Sequence, residues 1–186
     1  MADLPRTFVS FSSSDYNYYT MMTAWKANEN IDFDFADFQL NDAIRSQNEY
    51  YIKSICGGKI RRSDTFILLI GEDTYQKDNY VEAEIEAAVE KGCRLIGANL
   101  NGCRFKDHLC PWFFMNLGAL FVPYSPHIVA AALRQWHRPP PESNLTTGNW
   151  YFYDWLYTNL GYTLGPTTAT WPKKTIWDYL LTSGKV

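Results

Sequence analysis

Glu84 is an acidic residue for which the surrounding sequence offers no obvious structural role. It lies in the segment Asp78–Gly92, which follows the uninterrupted apolar run Thr65–Ile70. A strand, a loop and a helix in this order place the helix start near the carboxyl end of the strand, where open α/β sheets bind ligands. A carboxylate there can stabilise developing positive charge, electrostatically or by transient bonding. We therefore take Glu84 as the candidate catalytic residue.

Helical phase and capping distinguish Glu84 from its acidic neighbours. With 3.6 residues per turn, the stripe expected to pack on the sheet consists of Val81, Ile85, Ala88 and Gly92. Glu86 and Glu90 point away from this stripe and should be solvated. Glu82 and Glu84 flank it, but Glu82 stands three residues after Asn79, the spacing of a capping box, which gives it a structural role. By sequence alone, Glu84 can also be a solvated residue that the helix dipole favours.

Strand and helix patterns alternate over the first hundred residues, which predicts an α/β fold with a doubly wound parallel sheet. The predicted strands are Thr7–Phe11, Ile31–Phe35, Thr65–Ile70, Cys93–Asn99 and Ala119–Val122. The predicted helices are one capped by Ser14 or Asp15 and ending near Ala27, one from about Ser46 to Gly57 or Gly58, the helix of Glu84, and Pro126–Trp136. The first strand should lie centrally, between those starting at Ile31 and Thr65. Ile31–Phe35 alternates with acids, as an edge strand should.

The proline run at residues 139–141 is the one clear boundary. It predicts a domain over residues 1–138 and a C-terminal extension over residues 139–186 that packs on it. Short helices are expected over Asn149–Leu156 and Ile176–Leu181. Four aromatic side chains of this extension are predicted to be largely buried, against the domain or against a second copy of the chain: Trp150, Tyr153, Trp155 and Trp177.

Composition excludes several classes of function. The chain has 186 residues and a net charge of −3, so no basic surface favours nucleic acid or an anionic membrane. Its four cysteines show no C-x-x-C spacing, which argues against a metal site, and Cys56 and Cys93 lie in apolar segments, where cysteine acts as a small hydrophobe. The N-terminus lacks the apolar core of a signal peptide, and no run reaches membrane-spanning length, so we expect a cytoplasmic protein.

Three stretches together resemble a known family. They are Phe11-Ser12-Ser13-Ser14-Asp15 at the end of the first strand, Leu69-Ile70-Gly71 at the end of the buried strand, and Tyr80-Val81-Glu82-Ala83-Glu84-Ile85 at the start of the next helix. This combination resembles the TIR-like domain, and more narrowly the bacterial TIR-like proteins of Thoeris anti-phage defence. The resemblance covers roughly residues 6 to 138.

The resemblance implies a flavodoxin-like sheet and, as in many family members, cleavage of NAD at the nicotinamide–ribose bond. In the defence proteins it implies conversion of NAD, as substrate rather than cofactor, to a cyclic or conjugated ADP-ribose signal. Such a signal is sensed by a separate effector protein, and the enzyme is expected to form a homo-oligomer. The essential glutamate of the family carries over onto Glu84, and its first-strand loop onto Phe11, Ser12 and Asp15. These three residues and Tyr80, which stands four residues before Glu84, are the expected substrate contacts. Unlike many TIR domains, the chain has no tryptophan immediately before the glutamate.

Two further features of the sequence, at and beyond the end of the fourth predicted strand, bear on the candidate site. Asn99 ends the fourth predicted strand, so it either faces the expected cleft as a substrate contact or closes a turn. The connection from Asn101 to Trp112 is a candidate lid, since excluding water would favour cyclisation over hydrolysis.

The first alternative function is a non-catalytic TIR-like interaction module. The second is a phosphoacceptor receiver, which would need acids clustered after the first strand, where Asp15 stands alone.

Overall fold

One parallel sheet carries every strand in the described part of the chain. The computed structural model describes residues 5–37, 56–75, 79–137 and 148–163. The strands are β1 (Arg6–Ser10), β2 (Ala36–Asp37), β3 (Thr65–Ile70), β4 (Arg94–Asn99), β5 (Leu117–Pro123) and β6 (Gly148–Tyr151). They lie in the order β2-β1-β3-β4-β5-β6, and every neighbouring pair is parallel. The first five strands have the flavodoxin-like order, which confirms the predicted fold class.

Helices connect these strands and cover the sheet. They are α1 (Tyr16–Ala27), α2 (Asn79–Lys91), α3 (Pro126–Gln135) and α4 (Asp154–Asn159), with short 3₁₀ helices at Ser13–Asp15 and Trp112–Phe114. Residues 56–60 are also helical. The predicted helix from about Ser46 lies mostly outside the described residues. No helix among the described residues has the length and hydropathy to cross a membrane.

The core has two layers, one on each face of the sheet, and together they bury β3 on both sides. All six β3 residues are buried, as expected of a central parallel strand. Ile67 and Leu69 pack with α1 and α3 on one face. Phe66, Leu68 and Ile70 pack with α2 on the other. The sheet therefore separates two buried clusters, and the position of a side chain along its strand decides which helices it packs against.

The second predicted strand lies later in the chain than the sequence pattern indicated. Residues 31–35 form no strand, and β2 is the two-residue segment that follows them. The predicted alternation is present as burial: Phe33 and Phe35 are buried, whereas Asp32 and Asp34 are exposed. Alternating burial requires one face on the core, but it does not require backbone pairing with a neighbouring strand. The predicted order is confirmed, since β1 lies between β2 and β3.

The C-terminal segment extends the sheet, which the sequence did not predict. Residues 148–151 form β6 beside β5 instead of the start of a helix, and α4 begins only at Asp154. Trp150 is fully buried and Tyr153 is half-buried. Trp155 is 49% exposed in the single chain, so its burial against a second copy stays a prediction. Trp177 and the predicted helix at 176–181 lie outside the described residues. The division into a domain and an extension stays a prediction.

Candidate functional site

The last residue of β1 is joined to the middle of α2 by a hydrogen bond. Ser10 Oγ donates to Glu84 Oε2 over 2.6 Å, across 74 positions of sequence. Alternation along β1 places Phe8 and Ser10 on the face that α2 covers, and Phe8 shares a buried cluster with Ile85. The carboxylate of Glu84 therefore lies against the carboxyl end of β1.

A cavity of about 190 Å³ opens beside Glu84, and we call it the Glu84 cavity. Its lining residues are Cys56, Gly57, Ile60, Arg61, Tyr80, Ala83, Glu84 and Ala87. The structure thus brings Tyr80 and Glu84 together, and both had been predicted as site residues. Tyr80 supplies a half-buried aromatic ring, and Arg61 supplies a cation to the same cavity.

Cys56 contributes a buried thiol to the Glu84 cavity. Burial is the largest cause that raises the pKa of this thiol to about 12, followed by the negative charge of Glu84 and a hydrogen bond to its carboxylate. The thiol is therefore protonated at neutral pH and can donate to Glu84. The interpretation of Cys56 as a small hydrophobe is incomplete, because this buried residue also has a polar contact.

The helical phase of α2 is as predicted. Val81 and Ile85 are each 2% exposed and pack on the sheet, and Glu86 and Glu90 are exposed. Gly92 lies just beyond the helix with a φ of 81°, a left-handed conformation that favours glycine. The side chain of Asn79, the predicted N-cap, lies outside the described residues.

A larger opening of about 380 Å³ lies where β1, β3 and β4 end, and we call it the carboxyl-edge cleft. The residues that line it are Ser14, Asp15, Tyr18, Gly71, Glu72, Asp73, Leu100, Asn101 and Leu109. Parallel sheets bind ligands at this edge. Asp15, one of the predicted substrate contacts, thus lies in a different opening from Glu84.

The carboxyl-edge cleft is acidic. Burial, and then the charge of Asp73, raise the pKa of Asp15, while a hydrogen bond from Thr74 lowers it and the charge of Glu72 raises it. Asp15 is the acid that follows β1, and Glu72 and Asp73 reach the same cleft from the end of β3. Among the described residues, however, no group of three or more histidine, cysteine, aspartate or glutamate side chains could hold a metal ion.

Phe11 and Ser12 pack close to the first helix instead of beside Glu84. The Phe11 ring stacks on Tyr19, with centroids 5.1 Å apart, on the sheet face opposite to α2. Ser12 is 1% exposed, and its hydroxyl lies 3.0 Å from that of Ser14. The backbone carbonyl of Ser12 accepts a hydrogen bond from the Asp15 amide. Both residues shape the turn that places Asp15.

Asn99 shapes the connection between β4 and β5. Its buried side-chain amide donates to the carbonyls of Cys103 and Phe105, over 2.8 Å and 3.0 Å. Asn101 donates to Asp107 within the same connection. This candidate lid borders the carboxyl-edge cleft through Asn101 and Leu109, and it contributes no residue to the lining of the Glu84 cavity.

Comparison with protein families shows the family to which the chain belongs. The sequence model of the family described as "Thoeris protein ThsB, TIR-like domain" matches residues 8–104. The chain belongs to the ThsB TIR-like family. A search of curated proteins found no match to this sequence.

The region matched by the ThsB TIR-like family includes the whole lining of the Glu84 cavity and that of the carboxyl-edge cleft except Leu109. Residues 8–104 extend from β1 through β4 and contain Ser10, Asp15, Cys56 and Glu84. The strands β5 and β6 lie beyond the match. The family thus accounts for the part of the fold that positions the acidic residues.

Sequence reasoning missed Ser10 and the polar role of Cys56. A signal for Ser10 was present, because it is the polar residue that ends the apolar stretch Phe8–Val9 on the face of Phe8. No comparable signal existed for Cys56. Its neighbourhood depends on how the helical residues 56–60 pack beside α2.

Proposed function

We propose that this ThsB-type TIR-like domain cleaves the nicotinamide–ribose bond of NAD and makes a cyclic or conjugated ADP-ribose signal in anti-phage defence. A separate effector protein senses the signal, and the reaction takes place in the cytoplasm. The observation that carries the proposal is the Glu84 carboxylate, held by Ser10 at the edge of a cavity that also contains an aromatic ring.

The proposed chemistry needs a single well-placed carboxylate. The C1′–N1 bond breaks with its electron pair going to the pyridinium nitrogen, so nicotinamide leaves neutral and needs no strong general acid. The ribose develops oxocarbenium character, which the negative charge of Glu84 stabilises. Water at C1′ would give ADP-ribose and a proton. An internal hydroxyl would give a cyclic product and release its proton. A ring nitrogen would bond to C1′ through its lone pair, and any proton then released would come from the neighbouring exocyclic amino group.

The Glu84 cavity suits a fragment of NAD better than the whole molecule. Its volume of about 190 Å³ is below the roughly 300–1,000 Å³ of pockets that enclose drug-sized ligands. In this proposal, the nicotinamide and its ribose occupy the cavity, with Tyr80 beside the ring, and the remainder of NAD lies outside it. An enzyme that acts as a homo-oligomer would surround that remainder with a second copy.

The test is nicotinamide release from NAD, measured on the activated or concentrated protein with products identified by mass. Glu84→Gln keeps the size of the side chain but removes the charge, and it should lower the rate about 10²–10³-fold. Glu82→Gln is the matched control, because Glu82 lies in the first turn of the same helix and does not line the cavity. Circular dichroism must show that both variants fold. A folded Glu84→Gln protein that keeps the parent rate would refute the catalytic assignment.

Exposed aromatic and apolar side chains favour a second candidate, a non-catalytic interaction module. Trp112 is 74% exposed, and Met21 and Tyr75 are each 46% exposed. Aromatic residues and methionine are enriched at protein interfaces. If the activated protein leaves NAD intact but binds a protein partner, this function replaces the enzymatic one.

A further inference from the structure

Glu84 receives hydrogen bonds from two neutral side chains that belong to separate parts of the fold. Ser10 ends β1, and Cys56 lies in the helical residues 56–60. We propose that Ser10 and Cys56 are positioning residues that hold the Glu84 carboxylate in the orientation needed for bond cleavage. The inference rests on the proposed function and adds two residues to it.

The position of Ser10 is rigid, whereas the side chain of Glu84 is not rigid by itself. Ser10 is 1% exposed and its strand pairs it with Leu68, so its hydroxyl has little freedom to move. A glutamate has three rotatable side-chain bonds, and Glu84 is half-buried beside a cavity. A bond of 2.6 Å from a fixed hydroxyl therefore selects one orientation of a side chain that would otherwise have several.

Neutral donors suit this task because they orient the carboxylate of Glu84 without adding a positive charge of their own. A cation held directly on the carboxylate would offset the charge that must meet an oxocarbenium ion. Hydrogen bonds from a hydroxyl and a protonated thiol orient the carboxylate. The raised pKa of Cys56 keeps its thiol protonated, and therefore able to donate, across the physiological pH range.

Ser10→Ala and Cys56→Ala remove one donor each, and Cys56→Ser retains a donor at its position. With nicotinamide release from NAD as the assay, each alanine variant should lower kcat roughly tenfold to a hundredfold and leave KM nearly unchanged. Cys56→Ser should recover most of the loss seen in Cys56→Ala. A merely structural role would show neither the confinement of the loss to kcat nor its rescue.

Matched controls remove the same groups elsewhere in the core. Ser63 is fully buried and its hydroxyl donates to the Lys59 carbonyl, so Ser63→Ala is the control for Ser10→Ala. Cys93 is 1% exposed and its thiol contacts the Ser63 carbonyl, so Cys93→Ala is the control for Cys56→Ala. Both controls should keep the parent kcat, whatever their effect on stability.

The decisive measurement combines Ser10→Ala with Glu84→Gln. If Ser10 acts through Glu84, the double variant should be no slower than Glu84→Gln alone. Folded alanine variants with the parent kcat, or full additivity in the double variant, would overturn the inference while leaving Glu84 as the catalytic residue. A Glu84→Gln protein as fast as the parent would instead overturn the proposed function, and the inference with it.

Discussion

The carboxylate of Asp15 lies directly over the backbone of Gly71. A Cβ atom on residue 71 would stand 2.5 Å from Asp15 Oδ2 and 2.6 Å from Oδ1, closer than real Cβ atoms approach. The Gly71 amide donates to Thr74 Oγ1 over 2.8 Å, and this hydroxyl lies 3.5 Å from Asp15 Oδ2. The end of β3 and the start of α1 are thus packed together through a glycine, a hydroxyl and a buried acid.

Gly71→Ala should therefore destabilise the protein, because the new methyl group displaces the Asp15 carboxylate. We expect a loss of about 1–3 kcal/mol in the free energy of unfolding, measured by chemical denaturation. The cost should shrink in an Asp15→Ala background, where the carboxylate is absent. Gly58→Ala is the control: a Cβ there meets nothing within 4 Å, and a helical alanine should be neutral or slightly stabilising. An equal cost with and without Asp15 would contradict this account.

Asp15 should make the stability of the protein depend on pH. The folded state raises the pKa of Asp15. Protonated Asp15 therefore contributes to the free energy of unfolding below the ordinary aspartate pKa of about 3.9, and this contribution is lost as pH rises through the raised pKa. Asp15→Asn should therefore gain stability over the parent as pH rises from about 4 to 7. Unfolding free energies measured across this range test the slope.

Asp64 provides a control of opposite sign for that experiment. A hydrogen bond from Arg6 is the main cause that lowers the pKa of Asp64, so its contribution is present above the ordinary pKa and is lost as pH falls. Asp64→Asn should lose stability near pH 7 and match the parent in acid. The effect should be small because the pair is exposed to solvent. Parallel pH profiles for Asp15→Asn and Asp64→Asn would contradict both assignments.

Arg104 should contribute to the attachment of the C-terminal segment. Its side chain is 6% exposed and lies 2.7 Å from Asp154, and its guanidinium lies 5.1 Å from the ring centres of Phe105 and Tyr157. Arg104→Lys keeps the charge but loses the planar stacking group, so we expect a loss of about 1–3 kcal/mol in urea denaturation. Asp154→Asn should cost less, since Asp154 is more than half exposed. A lysine variant as stable as the parent would show that planarity is unimportant here.

Deleting all residues after Pro141 should give insoluble or destabilised protein. The truncation removes β6, which leaves the edge of β5 unpaired, and it removes the fully buried Trp150. Soluble yield and thermal midpoint measure the outcome. Trp155→Ser serves as the comparison: this tryptophan is 49% exposed, and its replacement should leave both quantities nearly unchanged. A soluble truncated protein with the parent midpoint would refute the prediction.

Local sequence patterns were sufficient for most of the sheet and for the burial of α2. The apolar run Thr65–Ile70 matches β3, and Val81 and Ile85 lie on the buried face of α2 as their spacing predicted. These features are periodic and local, because burial of one face constrains neighbouring residues in the same element. The same reasoning placed β2 wrongly, because the pairing that defines β2 depends on β1, which is distant in sequence.

The sequence by itself determined the fold class and the candidate carboxylate, whereas the tertiary structure decided what surrounds that carboxylate. Glu84 meets Ser10 across 74 positions, and Cys56 reaches it from a third segment. Asp15 and Asp73 likewise meet only where the ends of two parallel strands converge. Contacts of this kind depend on strand order and register. The repeat of apolar residues within each element records which face is buried, but not which distant side chain it will meet.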